Sequence, residues 1–289
     1  MNIQWYPGHM TKARRAMKED IKLIDLIVEL VDARVPLASR NPDIDELGRG
    51  KARLILLNKS DLSSERYNEA WTAWFKRQGY HVVKVNSRSG EGLKQIAPVV
   101  QEACREKIDR DKKRGILNRP VRAMVVGIPN VGKSTFINSF AGKACAKTGN
   151  KPGVTKGNQW IRLSKTLELL DTPGILWPKF EDQRVGLLLA FIGSINDEIL
   201  DKEELALELL RFLRKHYPES LVGRYQADMD DPVKLLEQIA KARGCISKGA
   251  EPDLTKASAA LLDDFRSGKL GRITLEFPPD QEKTDEKIK

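Results

Sequence analysis

The chain has 289 residues, of which 40% are hydrophobic and 31% charged, with a formal net charge of +10 and a pI near 9.4. That length and balance exclude a disordered tail and a membrane-embedded protein, and they allow one large domain or two ordinary ones with real cores. Residues 190–289 carry 16 basic and 20 acidic side chains, so the positive excess lies in residues 1–189, with 34 and 20. Such a basic body points either to a polyanionic partner, nucleic acid above all, or to a basic surface without a specific partner.

The start of the chain has no apolar core of the secretory kind, and the most apolar stretch, residues 186–195, is far too short to span a bilayer. A cytoplasmic protein is expected. Cys104, Cys145 and Cys245 are far apart, as are His9, His81 and His216, which argues against a disulfide framework or a zinc site.

In chain order, Thr11 can cap a basic helix running to about residue 23, with Lys12, Arg14, Arg15 and Lys18 on it. Trp5 and Tyr6 precede it, as core anchors or as stacking surfaces for RNA bases. Residues 26–31 read as a buried strand ending at Asp32, and 53–57 as a second strand running into Asn58-Lys59-Ser60-Asp61. Residues 64–78 predict a helix with Trp71, Trp74 and Phe75 on one side, and 81–85 a third strand ending at Asn86-Ser87. A helix is expected over 91–113, kinked by Pro98, then a charged connector to 119. A strand at 121–126 enters a glycine loop and a helix over 133–141; residues 142–157 read as a mobile Gly/Lys/Thr-rich loop. Strands at 160–163 and 167–170 follow, the second running into Asp171-Thr172-Pro173-Gly174. Helices are then expected at 183–193, 202–215, 232–243 and 254–267.

Alternating strands and helices predict an α/β fold: a mostly parallel P-loop sheet with helices on both faces, followed by a smaller, mainly helical domain. The expected division is 1–190, 191–278 and a disordered charged tail at 279–289.

The chemistry begins at Gly127-Ile128-Pro129-Asn130-Val131-Gly132-Lys133-Ser134, which fits the phosphate-loop pattern G-x-x-x-x-G-K-[ST] between a strand and a helix. Glycines let the backbone bend around phosphate, inward amides form an anion nest, and the helix N-terminus adds partial positive charge. Lys133 would reach the β- and γ-phosphates, and the Ser134 hydroxyl would bind Mg²⁺. At the end of the second strand, the Asp61 carboxylate could accept two hydrogen bonds from guanine N1–H and N2–H₂, a donor pair that adenine lacks. Asn58 would tie this loop to the phosphate loop, and the stem of Lys59 would cover the base face.

Asn58–Asp61, the Ser87 segment, the glycine loop, Thr155 and Asp171–Gly174 together resemble the five motifs of the TRAFAC-type GTPases, here with the guanine-reading pair ahead of the phosphate-reading trio. That order resembles the circularly permuted GTPases. The opening Trp5-Tyr6-Pro7-Gly8-His9 and the segment Asp32-Ala33-Arg34-Val35-Pro36 resemble the ribosome biogenesis GTPase A family, which acts in large-subunit assembly.

The resemblance implies that GTP or GDP is held by Asn58, Lys59, Ser60, Asp61, Asn86, Ser87, Asn130, Val131, Gly132, Lys133, Ser134, Thr135 and Gly174. It implies Mg²⁺ held by Ser134 and Thr155, with Asp171 through water. It also implies a monomer that binds a large ribosomal subunit precursor and its rRNA, with no membrane or DNA partner. Ile175 stands where many GTPases carry a water-orienting glutamine, so slow intrinsic hydrolysis and stimulation by the subunit are expected. His9 could supply the missing group, or serve as a structural or RNA-contacting histidine. Asn130 could accompany activation by K⁺, or simply shape the turn. Residues 143–165 hold six basic side chains and no acidic one: a solvated loop, or a surface ordered by GTP for RNA. Lys234, Lys241, Arg243 and Lys248 could form a second basic patch, or the polar face of an ordinary bundle.

Overall fold

Strand β1 (Leu26–Asp32) is buried at all seven of its positions, the mark of a strand at the centre of a sheet covered on both faces. The computed structural model describes residues 17–117, 119–142, 159–172, 182–228 and 230–279. Around β1 lie β2 (Ala52–Asn58), β3 (His81–Val85), β4 (Val121–Gly127), β5 (Gln159–Arg162) and β6 (Leu167–Asp171), in the order β3-β2-β1-β4-β6-β5. All pairings are parallel except β5 with β6.

The register decides what the sheet can do. Asp32 stands opposite Asn58, and Asn58 opposite Val85. Leu30 faces Gly127, and Val125 faces Asp171. The parallel strands therefore deliver their motifs at one edge, the carboxyl ends. The chain builds outward from β1 to β3 on one side and from β4 to β6 on the other, so the order reverses between β1 and β4. Open α/β sheets bind ligands in the crevice at such a reversal.

Helices α1 (Asp43–Leu47), α2 (Glu65–Arg77), α3 (Ile96–Ala103), α4 (Arg105–Lys113) and α5 (Lys133–Ala141) accompany the sheet. Helix α2 buries Trp71 and Phe75 completely against Val31, Ala33, Ile55, Leu57 and Val82. The helix expected over 91–113 differs from the sequence expectation. A 3₁₀ turn at Leu93–Gln95 leads into α3, and Cys104 separates α3 from α4 with φ −104° and ψ 11°. Pro98 does not kink it, because it sits in the first turn of α3, where a missing N–H forfeits no intrahelical bond.

Beyond the sheet come α6 (Gln183–Phe191), α7 (Lys202–His216), α8 (Pro218–Tyr225), α9 (Pro232–Ala242) and α10 (Leu254–Arg266). Asp182, Asp201, Asp231 and Asp253 cap four of them by accepting backbone N–H bonds. Helix α7 turns Leu205, Ala206, Leu209, Leu210 and Leu213 into the core, an apolar stripe at helical spacing. Helix α8 was not expected from sequence: it starts on Pro218, with only Tyr217 between it and the end of α7, and is too short to show its own periodicity.

The chain divides into two compact units. One falls within Phe180–Leu275; the other comprises Tyr6–Lys179 and resumes at Glu276. Helix α6 thus belongs with the helical unit, and residues 276–279 belong with the sheet. Residues 280–289 of the expected 279–289 tail lie outside the described residues, as do the part before residue 17 of the expected basic helix and most of the expected Gly/Lys/Thr-rich loop. Among the described residues no helix is long and apolar enough to cross a membrane.

Candidate nucleotide-binding site

The loop after β4 bends through two positions that side chains resist. Asn130 has φ 60°, and Gly132 has φ 96° as it caps α5. Asparagine tolerates the left-handed region better than most residues, and glycine enters it without a Cβ penalty. Gly132 is also required by proximity: a Cβ there would lie 2.6 Å from Asn58 Nδ2. Gly127 is similarly confined, with a Cβ meeting Val131 Cγ1 at 2.9 Å.

That close approach is where the two halves of the site meet. Asn58, 1% exposed at the end of β2, donates from Nδ2 to the Val131 carbonyl at 2.8 Å. Its Oδ1 accepts from Ser87 N at 3.1 Å and Ser87 Oγ at 2.7 Å. One buried amide thus joins the loops after β2, β3 and β4. Ser139 Oγ on α5 donates to the Ser87 carbonyl at 2.6 Å, a second tie between the same parts. Asn86 Oδ1 shapes its own turn by accepting from Arg88 N and Ser89 N.

Lys59 has φ 57°, which turns the chain sharply into the 3₁₀ turn at Ser60–Leu62 and leaves Asp61 exposed. Ser60 Oγ donates to the Val85 carbonyl at 3.1 Å, and Asn68 Nδ2 to the Ser60 carbonyl at 2.9 Å. Lys59 Nζ donates to the Asn130 carbonyl at 2.9 Å and lies 3.0 Å from Asp32 Oδ2. Burial pushes the Lys59 ammonium below its ordinary value, with Arg34 acting in the same sense and Asp32 opposing it.

Lys133, the first residue of α5, is buried and paired with the Asp171 carboxylate at the end of β6. Thr172 Oγ1 donates to the Val125 carbonyl at 2.8 Å and fixes the start of the segment after β6. A glycine-lined bend at a helix N-terminus fits a phosphate group. A hydroxyl at Ser134 and a carboxylate at Asp171 are oxygen donors of the kind Mg²⁺ takes. His9, Thr155 and Gly174 lie outside the described residues.

Sequence reasoning gave Asp32 and Arg34 no role in the site. Asp32 is fully buried, held by Arg34 and Lys59. The available signal was positional: an aspartate closing a strand beside the one that enters Asn58–Asp61.

Replacing Asn58 with alanine tests the joint. It strips the partner from the Val131 carbonyl and from the Ser87 amide, and each buried orphan costs about 1–3 kcal/mol. The thermal midpoint falls, and the further stabilisation that added GDP gives the wild-type chain shrinks.

A G-x-x-x-x-G-K-S loop after β4, joined by a buried asparagine to the Asn58–Asp61 loop that precedes it in the chain, is the arrangement of a circularly permuted GTPase. The family described as "50S ribosome-binding GTPase" matches residues 122–223. Ribosome biogenesis GTPase A of Bacillus cereus is 51% identical over 280 residues, covering 96% of this chain and 95% of that protein. The Thermotoga maritima protein of that name is 34% identical, covering 96% and 95%, and the Bos taurus mitochondrial ribosome-associated GTPase 1 is 33% identical, covering 94% and 88%. A GDP-bound YlqF structure matches with TM-score 0.66 and 27% identity over 91% of this chain and 98% of that one. A GNP-bound YlqF from T. maritima matches with TM-score 0.65 and 29% identity, covering 93% and 99%. The chain belongs to the ribosome biogenesis GTPase A family.

Proposed function

We propose that this protein binds large ribosomal subunit precursors in its GTP form, promotes a late maturation step in the cytoplasm, and leaves after hydrolysis. The observation that supports the GTPase part of this reading is the Asn58–Val131 hydrogen bond, which ties the Asn58–Asp61 loop to the glycine loop after β4. The ribosomal part is supported by relatives named for ribosome biogenesis along nearly their whole length, which favours it over a GTPase acting on transfer RNA.

In this reading Asp61 selects guanine, the Lys59 stem covers the base, and Lys133 leaves Asp171 for the β- and γ-phosphates. Ser134 and Thr155, with Asp171 through water, would hold Mg²⁺, which neutralises charge developing on the transferred phosphoryl group. Asn130 would hold K⁺ where another GTPase places an arginine. Ile175 offers no hydrogen bond to water, so turnover is slow until docking on the subunit brings His9 into use.

The test is GTP turnover with and without purified large subunits, across a salt series in potassium and in sodium. The expected result is stimulation by the subunit, falling as salt rises because phosphate contacts release counterions, and higher rates in potassium. His9→Ala is expected to abolish the stimulated part. A rate indifferent to subunits overturns the ribosomal reading; unchanged stimulation in His9→Ala removes that histidine from the mechanism.

A further inference from the structure

The turn after β1, Asp32-Ala33-Arg34-Val35-Pro36, lies beside the guanine-reading loop. Arg34 grips the buried Asp32 carboxylate through two parallel hydrogen bonds, Nε to Oδ1 at 2.9 Å and Nη2 to Oδ2 at 2.7 Å. Arg34 N donates to the same Oδ1 at 3.1 Å, and Asp32 N donates to Ser39 Oγ at 2.9 Å. The carboxylate is therefore fixed in place, and the Lys59 ammonium rests against it.

The turn is held in its own right from the far end of the chain. Glu276 accepts from Leu37 N at 2.6 Å and Ala38 N at 3.1 Å through its carboxylate. Its own N–H donates to the Arg34 carbonyl at 3.2 Å, and its carbonyl accepts from Trp71 Nε1 at 2.9 Å. Phe277 packs on Tyr67 with ring centroids 4.7 Å apart. Charge-assisted hydrogen bonds from a carboxylate to backbone amides are among the stronger polar contacts, and Glu276 is the first residue after the helical unit.

We infer that Glu276 is a positioning residue for guanine-nucleotide binding: by gripping the turn after β1 it fixes the Asp32–Arg34 pair, and through it the Lys59 side chain that spans to the phosphate loop. Lysine loses more rotamer freedom on ordering than almost any other side chain. A carboxylate already in place removes that cost before the nucleotide arrives, which is preorganisation. The inference rests on the guanine reading of Asn58–Asp61.

The experiment is a double-mutant cycle on the full chain, read as the Kd for GDP, with folding followed by circular dichroism. Glu276→Ala is expected to raise the Kd about tenfold, the effect of losing a charge-assisted pair. Lys59→Met, which keeps the stem and removes the ammonium, raises it by a similar factor. If the two act through one chain of contacts, the double variant binds no more weakly than Lys59→Met alone. Additive losses, or a wild-type Kd in Glu276→Ala, overturn the inference. Should Glu276→Ala not fold, Glu276→Gln retains one acceptor and must show the same non-additivity in weaker form. Asp61→Asn separates the two levels of the argument: if it keeps its preference for GTP, the guanine reading itself falls. If it loses that preference while Glu276→Ala binds GDP normally, only the positioning role does.

Discussion

Asp61→Asn lowers the affinity for GTP by roughly 10²–10⁴ and converts the protein toward xanthosine triphosphate. In the proposed reading the carboxylate accepts from guanine N1–H and N2–H₂, and hydrogen bonds to a charged group are worth about 1.5–3 kcal/mol each. Asparagine keeps one acceptor for N1–H and turns an N–H₂ donor toward the guanine amino group, where donor meets donor. Xanthine carries a carbonyl at that position, so the same substitution gives it a matching pair. Because Asp61 is exposed and lies in a turn held by Ser60 and Asn68, the fold and the thermal midpoint without nucleotide stay near wild type. Competition titrations with GTP, ATP and xanthosine triphosphate check the result. Retained GTP selectivity would remove Asp61 from base recognition.

Asp32→Ala destabilises the sheet-containing unit by about 3–5 kcal/mol, the usual cost of removing one member of a buried ion pair. Arg34, whose side chain is 1% exposed, loses its paired carboxylate, and the Lys59 ammonium loses a counter-charge in the same step. Against a total stability of order 5–15 kcal/mol, that loss lowers the midpoint of urea or thermal unfolding substantially. Asp32→Asn keeps the shape and part of the hydrogen bonding, so its loss is smaller. The pH dependence follows from the same pair. Burial would raise the Asp32 carboxyl, but the Arg34 and Lys59 charges together hold it far below its ordinary 3.8. A depressed folded value means that its contribution is complete above 3.8 and disappears as pH falls through the folded value. Comparing wild type with Asp32→Asn in acid unfolding isolates that contribution: the difference between them narrows as pH falls below 3.8.

Much of this molecule was legible as local pattern. Five strands could be placed from short apolar runs that end at motif residues, β3 falls at 81–85 as expected, and β5, expected at 160–163, falls at Gln159–Arg162. Helix α5 could be placed because Gly132 and Lys133 mark its start. Elements without such punctuation were read less well. Helix α8 hides behind α7, and the break at Cys104 carries no glycine or proline to announce it. In the site, the tie of Asn58 to the glycine loop follows from motif chemistry, whereas Asp32 and Arg34 read as no more than the end of an apolar strand and a family signature.

Glu29 shows why the remainder was out of reach. It sits 1% exposed within β1, an apparent fault in a buried strand, and is reconciled only by Arg40 and Arg53, which approach its Oε2 to 3.1 and 3.0 Å. Glu276 is the same case over a longer span, an unremarkable charge near the chain end until the fold sets it against the Leu37 and Ala38 amides. Sequence by itself determined the class of protein, because phosphate and guanine recognition each need particular side chains on a short, continuous stretch of backbone. Only the tertiary structure decided which buried or half-buried charges find partners, because taking an ion out of water is tolerated only opposite a counter-charge or hydrogen-bond donors, and those partners are brought by strand register and chain return from anywhere along the sequence.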